Sequence, residues 1–185
     1  FVRGPVWNFG DEDMKNGIEE FVKKTSLDVE ELDLGKYFDD AAKAHEIIMN
    51  GSIANSLINY YQADKSKLHP FTVKRIEAGI PVSASDYVSA IEKAKKMERT
   101  LRQFFLKYDA IITPAAPGQA PRDLMNTGNA IFNGYWTMMG VPAISLPLLK
   151  GKDNLPIGIQ IITAWKEDDK LLSISKFLLD TKKVC

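Results

Sequence analysis

A chain of 185 residues, 45% hydrophobic and 26% charged, has the length and composition of one globular domain with a core of its own. Its 24 basic and 24 acidic residues cancel, which removes the basic surplus that nucleic-acid binding relies on. No apolar run reaches membrane-spanning length.

Taken in order, Phe1 to Trp7 reads as a short strand ending in a turn. Asp11 or Asp13 can cap a helix that carries Met14, Ile18, Phe21 and Val22 on one face. Val29 to Leu34 alternates and predicts a second strand. Asp39 and Asp40 open a longer helix whose stripe runs from Ala44 through Ile47, Ile48, Ala54 and Ile58 to Tyr61, crossing Gly51. Pro70 suits the first position of a short helix to Ile76, stopped by Gly79 and Pro81. Ser83 or Ser85 starts the clearest helix, buried along Tyr87, Ala90, Ala94, Met97, Leu101 and Phe105. Ala110 to Thr113 predicts a buried strand stopping at Pro114. The three prolines and one glycine of Pro114 to Pro121 predict an ordered loop. Asn129 to Met139 predicts a helix ended by Gly140-Val141-Pro142. Ala143 to Leu149 and Pro156 to Ala164 predict strands joined by a turn over 150–154, and Gly158 is read as allowing close packing. Asp168 or Asp169 caps a final helix carrying Leu171, Leu172, Ile174, Leu178 and Leu179.

Serine hydrolysis needs a nucleophile, a base and oxyanion donors, and the chain offers no such set. It has neither Gly-x-Ser-x-Gly nor Gly-Ser-Ser-Gly. Ser83-Ala84-Ser85 reads as helix capping, and Ser173-Ile174-Ser175 as part of an amphipathic helix. His45 and His69 are the only histidines, and neither has a partner at metal-ligand spacing. Asp11-Glu12-Asp13 and Asp39-Asp40 are explained by helix starts, and no phosphate-binding glycine loop occurs. The Lys pairs 23–24, 95–96 and 182–183 read as solvated helix faces. Cys185 is the one cysteine, so no disulfide forms within the chain, which accords with a reducing, cytoplasmic compartment. At the very end of the sequence it is a poor nucleophile candidate. No catalytic residue, metal or cofactor is expected. Phe1 to Trp7 does not resemble a signal peptide, and the missing initiator Met suggests a chain that starts inside a longer frame.

The distinctive stretches are Tyr108 to Pro117 (YDAIITPAAP), Asn133 to Pro147 (NGYWTMMGVPAISLP), Leu155 to Ile162 (LPIGIQII) and Asp168 to Leu172 (DDKLL). Four such runs in this order resemble the C-terminal part of the amidase signature family. Val2 to Trp7 (VRGPVW) is similar to the strand that follows that family's catalytic segment. The resemblance implies an α/β fold: part of the family's mixed sheet flanked by helices, incomplete without an N-terminal segment, with 1–185 as a single-domain fragment. It implies an amide hydrolase working through a Ser–cis-Ser–Lys triad outside this chain, so that the fragment alone is inactive. It also implies that this part supplies walls of the substrate funnel.

Thr113 and Pro114, at a strand end, and Tyr135 and Trp136, beside a Gly-Pro turn, are the candidate substrate-binding residues. A purely structural role stands beside the functional one for each. By analogy the helix over 41–61 borders the entrance. The expected partners are a small amide and either a second copy of the chain or the missing segment, because a cut sheet exposes an edge. Nucleic acid and membrane are not expected partners. Three other readings stand beside this one: a non-catalytic binding or scaffold protein with the same half-fold, a protein like the A subunit of glutamyl-tRNA(Gln) amidotransferase, and a self-sufficient Ser/His/Asp hydrolase.

Overall fold

The computed structural model describes residues 1–123 and 125–182; Lys183 and Cys185 lie outside the described residues. Four helices come first: α1 (Glu12–Lys24), α2 (Ala41–Asp64), α3 (Pro70–Gly79) and α4 (Ala84–Phe104). Strand β1 (Ile111–Pro114), helix α5 (Ile131–Met139), strands β2 (Ala143–Lys150) and β3 (Pro156–Ile162), and helix α6 (Asp168–Lys182) follow.

The helix starts are chemical. The Asp11 carboxylate accepts from Met14 N–H at 2.8 Å, with Glu12 and Asp13 in the first turn and Lys23 and Lys24 in the last. Asp11 thus caps α1, as its place in the sequence predicts. Ser83 Oγ accepts from Asp86 N–H to open α4. Pro70 occupies the start of α3, and His69 Nδ1 accepts from Phe71 N–H, which accounts for that histidine. Helix α3 runs on beyond Ile76 to Gly79, which presses against the α2 backbone near Asn50, where a side chain would not fit.

The three strands stand in the order β1-β3-β2, antiparallel throughout. Helices flank the sheet, so the α/β architecture is as expected. Thr113 pairs with Gln160, and Gln160 pairs with Ser145 on its other side. Opposed residues in adjacent strands share a face, so Thr113, Gln160 and Ser145 form one row across the sheet. Ile157, Ile159 and Ile161 alternate with Gly158 and Gln160 and are fully buried. The register shifts between Leu146 and Leu149, around Pro147, on a strand that has β3 on one side only. A bulge on an edge strand is where a sheet tolerates proline.

Two expected strands are absent. Phe1 to Trp7 makes one backbone bond to β1, from Val2 N–H to Ile112 C=O at 2.9 Å. The chain then turns at Gly4, at φ +74°, into a short 3₁₀ turn over Trp7–Phe9. Val29 to Leu34 is extended but meets the chain start only at Phe1, where Leu32 N–H donates to Phe1 C=O at 2.9 Å and the Phe1 amino group donates to Glu30 C=O at 2.6 Å. Their alternation reflects contact with the core: Phe1, Val2 and Leu34 are buried, but neither segment builds a ladder.

Candidate functional site

The polar row across the sheet lies against α5. Gln160 Nε2 donates to Asn133 Oδ1 at 2.9 Å. Thr113 and Gln160 are buried, and Thr113 Oγ1 and Gln160 Oε1 make no hydrogen bond to any described residue; the same holds for Tyr135 Oη and Trp136 Nε1. Burial pushes the Tyr135 hydroxyl well above its ordinary pKa, and the nearby Thr113 and Trp136 draw it part-way back. The rings of Tyr135 and Trp136 lie 4.8 Å apart, centre to centre, and the Tyr135 hydroxyl packs against Gly4. Three of the four candidates named from the sequence, Thr113, Tyr135 and Trp136, are therefore brought together as a polar seam inside the core. Pro114 is buried too, but alternation turns it to the other face of the sheet.

A groove of about 650 Å³ opens beside this seam. Its walls are the loop from Ala115 to Pro121, the segment from Asn126 to Ala130, and Asn133, Ser145, Pro156 and Gly158. None of the four sequence candidates lines it. The groove begins one residue beyond Pro114 and, on α5, takes Asn133 instead of the aromatic pair.

Gly158 forms part of the groove wall: a Cβ there would collide with Ser145 Oγ and come within 3.0 Å of the Ala115 methyl. Asx turns shape the loop, with Asn126 Oδ1 accepting from Gly128 N–H at 2.9 Å and Asn129 Oδ1 from Ile131 N–H at 3.0 Å. Its other arm is pinned from outside. The Asp153 carboxylate accepts from Gln119 and Arg122, which hold its pKa low, Arg122 most. Asp11 N–H donates to Pro117 C=O at 2.7 Å, and Lys152 N–H donates to Asp13 at 2.8 Å.

No nucleophile–base pair is assembled among the described residues. His69 is a cap. His45 faces Gly134 of α5, and burial, then the Arg75 charge, lowers its pKa. Ser173 and Ser175 hydroxyls donate to carbonyls one turn back in α6, as the helical reading requires. No group of metal-ligating side chains occurs among the described residues.

The family model described as Amidase matches residues 17–172. The chain belongs to the amidase family. Over 132 residues it is 35% identical to the glutamyl-tRNA(Gln) amidotransferase A subunit of Acinetobacter baumannii (strain AYE), a match covering 64% of this chain and 26% of that protein. The chain thus spans about a quarter of the length of the curated relatives it matches. A solved amidase superposes with a TM-score of 0.83 at 17% identity, covering 96% of this chain and 44% of its own. A vestigial protein complex described as revealing the origins of an s-triazine catabolic enzyme gives 0.85 at 18%, covering 97% and 42%. At such identities the structures speak for the fold.

Within this amidase-family fold the sequence does carry a signal for the groove residues that chemical type alone passes over. Ile157-Gly158-Ile159-Gln160-Ile161 alternates strictly, and the small and polar positions of that alternation face the groove and its backing row. Asn133 opens the distinctive run Asn133 to Pro147, two residues ahead of the aromatic pair.

Proposed function

We propose that the natural polypeptide carrying this chain hydrolyses a carboxylic amide to an acid and ammonia or an amine. In this reading the Ser–cis-Ser–Lys triad is supplied from outside residues 1–185, and the chain, as the C-terminal portion, builds one wall of the substrate site. The observation that carries it is the groove at the end of β1, where a polar, rigidly backed surface meets solvent beside the fold's loops. Asn133 and Ser145 are the side chains placed to touch substrate. Thr113, Pro114, Tyr135 and Trp136 stand behind that wall and fix where Ala115 and Asn133 lie. Family membership supports amide chemistry, and the identity to amidotransferase subunits supports a second reading, in which the released ammonia is passed to a charged tRNA.

The open side of β2 is assigned to the rest of the polypeptide, or to a second copy if the chain stands alone. A cytoplasmic location goes with this reading; among the described residues no helix is long and apolar enough to cross a membrane. The test is ammonia release from simple aliphatic and aromatic amides by the natural polypeptide, with labelling by a serine-directed phosphonate. Turnover with one labelled serine outside this chain is expected. Absence of both would overturn the reading and favour a binding or scaffold role.

A further inference from the structure

We propose that the groove selects substrates whose acyl portion is uncharged and carries an oxygen acceptor, so that a free amino-acid amide such as glutamine is a poor substrate. This rests on the amidase reading above and narrows it.

Three asparagines in the wall point to this selectivity. Asn126 and Asn129 each spend Oδ1 on a backbone N–H, of Gly128 and Ile131. Asn133 spends its Oδ1 on Gln160 Nε2. Every asparagine of the wall is thereby oriented, with its acceptor used for folding and its Nδ2 amino group left as the spare function. An amide nitrogen of this kind donates two hydrogen bonds and accepts none. The wall therefore offers N–H donors, with the Ser145 hydroxyl beside them, to whatever enters.

The same wall offers no charge. None of its described residues is Asp, Glu, Lys or Arg. The charged groups at its margin are committed elsewhere, Arg122 to Asp153 and Asp11 to the start of α1. Against this wall a zwitterion loses water from its charged groups and meets no counter-charge on it, which is costly. A neutral carbonyl or ether oxygen loses little and gains the asparagine donors. The wall thus separates amides by charge, at a distance from the bond being cut, and its donors favour acceptor-bearing acyl groups.

The asparagine turns supply a clean test. Asn126→Asp with Asn129→Asp keeps the oxygen that accepts from Gly128 and Ile131, so the loop keeps its shape. It replaces two donors with carboxylate oxygens. The natural polypeptide and this double variant are assayed on the ether-bearing 4-methoxybutanamide, glutamine, succinamate and the cationic β-alaninamide. The wild type is expected to prefer 4-methoxybutanamide over glutamine and succinamate by about a hundredfold or more in kcat/KM. The variant should lose roughly tenfold on 4-methoxybutanamide and gain on β-alaninamide, a tenfold step being what one to two neutral hydrogen bonds supply.

If amides are turned over but glutamine or succinamate matches 4-methoxybutanamide, or the 4-methoxybutanamide to β-alaninamide ratio does not move, the inference falls while the amidase reading stands. If no amide is turned over, the amidase reading falls, and saturation-transfer NMR on the same protein decides the rest. Binding of 4-methoxybutanamide without glutamine would uphold charge selection; equal binding, or none, would end it.

Discussion

Two clefts of the molecule, similar in size, differ in their backing. One lies among α2, α3 and α4, about 770 Å³, lined by residues such as Ile58, Ile80, Val82 and Val88. The other is the groove beside the sheet, about 650 Å³. Neither shows a charged side chain among its described residues. Behind the helical cleft stand close backbone contacts: Gly79 against Asn50 and Ala54, and Gly51 against the Tyr87 ring. Its polar bond, Ser52 to Tyr87 at 2.9 Å, ties one helix to another. Behind the sheet groove stands the buried row Thr113–Gln160, which orients Asn133, while turns orient Asn126 and Asn129. Volume alone would rank the two clefts alike. What separates them is how the polar groups are held: turns and Gln160 orient the asparagines of the groove, whereas Asn55 and Ser56 in the helical cleft are tied to no other element among the described residues.

The largest expected effect breaks the helical cleft. A methyl at Gly79 would lie 2.6 Å from the Asn50 carbonyl carbon and 2.7 Å from Ala54 Cβ. Backbone does not swing aside, so α3 must lift from α2. Gly79→Ala should cost about 2 to 3 kcal/mol, read by urea denaturation, with the relative rates on different amides unchanged. Gly158→Ala is the matching change in the groove. Its methyl meets the Ser145 hydroxyl, which can rotate, and the Ala115 methyl at 3.0 Å. The stability loss should stay near 1 kcal/mol, while kcat/KM falls roughly tenfold as the substrate is displaced. Equal damage to stability and turnover in both variants would erase the distinction between the clefts.

Much of this layout was legible in the sequence. Helix starts were readable because Asp11, Pro70 and Ser83 act on the next turn, a local event. Strands β1, β2 and β3 were readable from apolar runs bounded by proline, glycine and a turn. Phe1 to Trp7 and Val29 to Leu34 were misread because alternation reports burial and not ladder formation: their backbone bonds to other segments are confined to Phe1 and Val2 on one side and Glu30 and Leu32 on the other. The four site candidates were chosen by chemical type at a strand end and a turn. The groove was fixed instead by non-local register, Thr113 opposite Gln160 opposite Ser145. No local rule reveals which of two adjacent residues, Pro114 or Ala115, turns toward that face.

A smaller effect probes the backing row itself. Gln160→Met keeps the length of the side chain, removes the unpaired Oε1 and gives up the bond to Asn133. Losing a buried orphan offsets losing a hydrogen bond, so stability should move by less than about 1 kcal/mol. Asn133 is then free to rotate, and kcat/KM for neutral amides should fall about threefold. A large stability loss with unchanged kinetics would make the row purely structural, like the contacts behind the helical cleft.

The smallest effect joins the two regions through His45, which projects from α2 onto Gly134 of α5. Burial, and then the Arg75 charge, lowers its pKa in the folded protein, while Glu46 acts in the opposite sense. The unfolded chain therefore holds this proton at a higher pH than the folded one. Between the two pKa values the unfolded state binds more protons, and stability rises with pH. The stabilising difference is complete above the ordinary histidine value of about 6.5 and shrinks as pH falls through the depressed one. His45→Gln removes the titration, so the wild type should lose stability more steeply than the variant as pH is lowered from 7 to 5. Because Gly134 lies beside Asn133, the same protonation should also weaken turnover of a neutral amide over that range, in the wild type only. If stability shifts and turnover does not, α5 yields without moving Asn133, and the helical layer and the groove are mechanically separate.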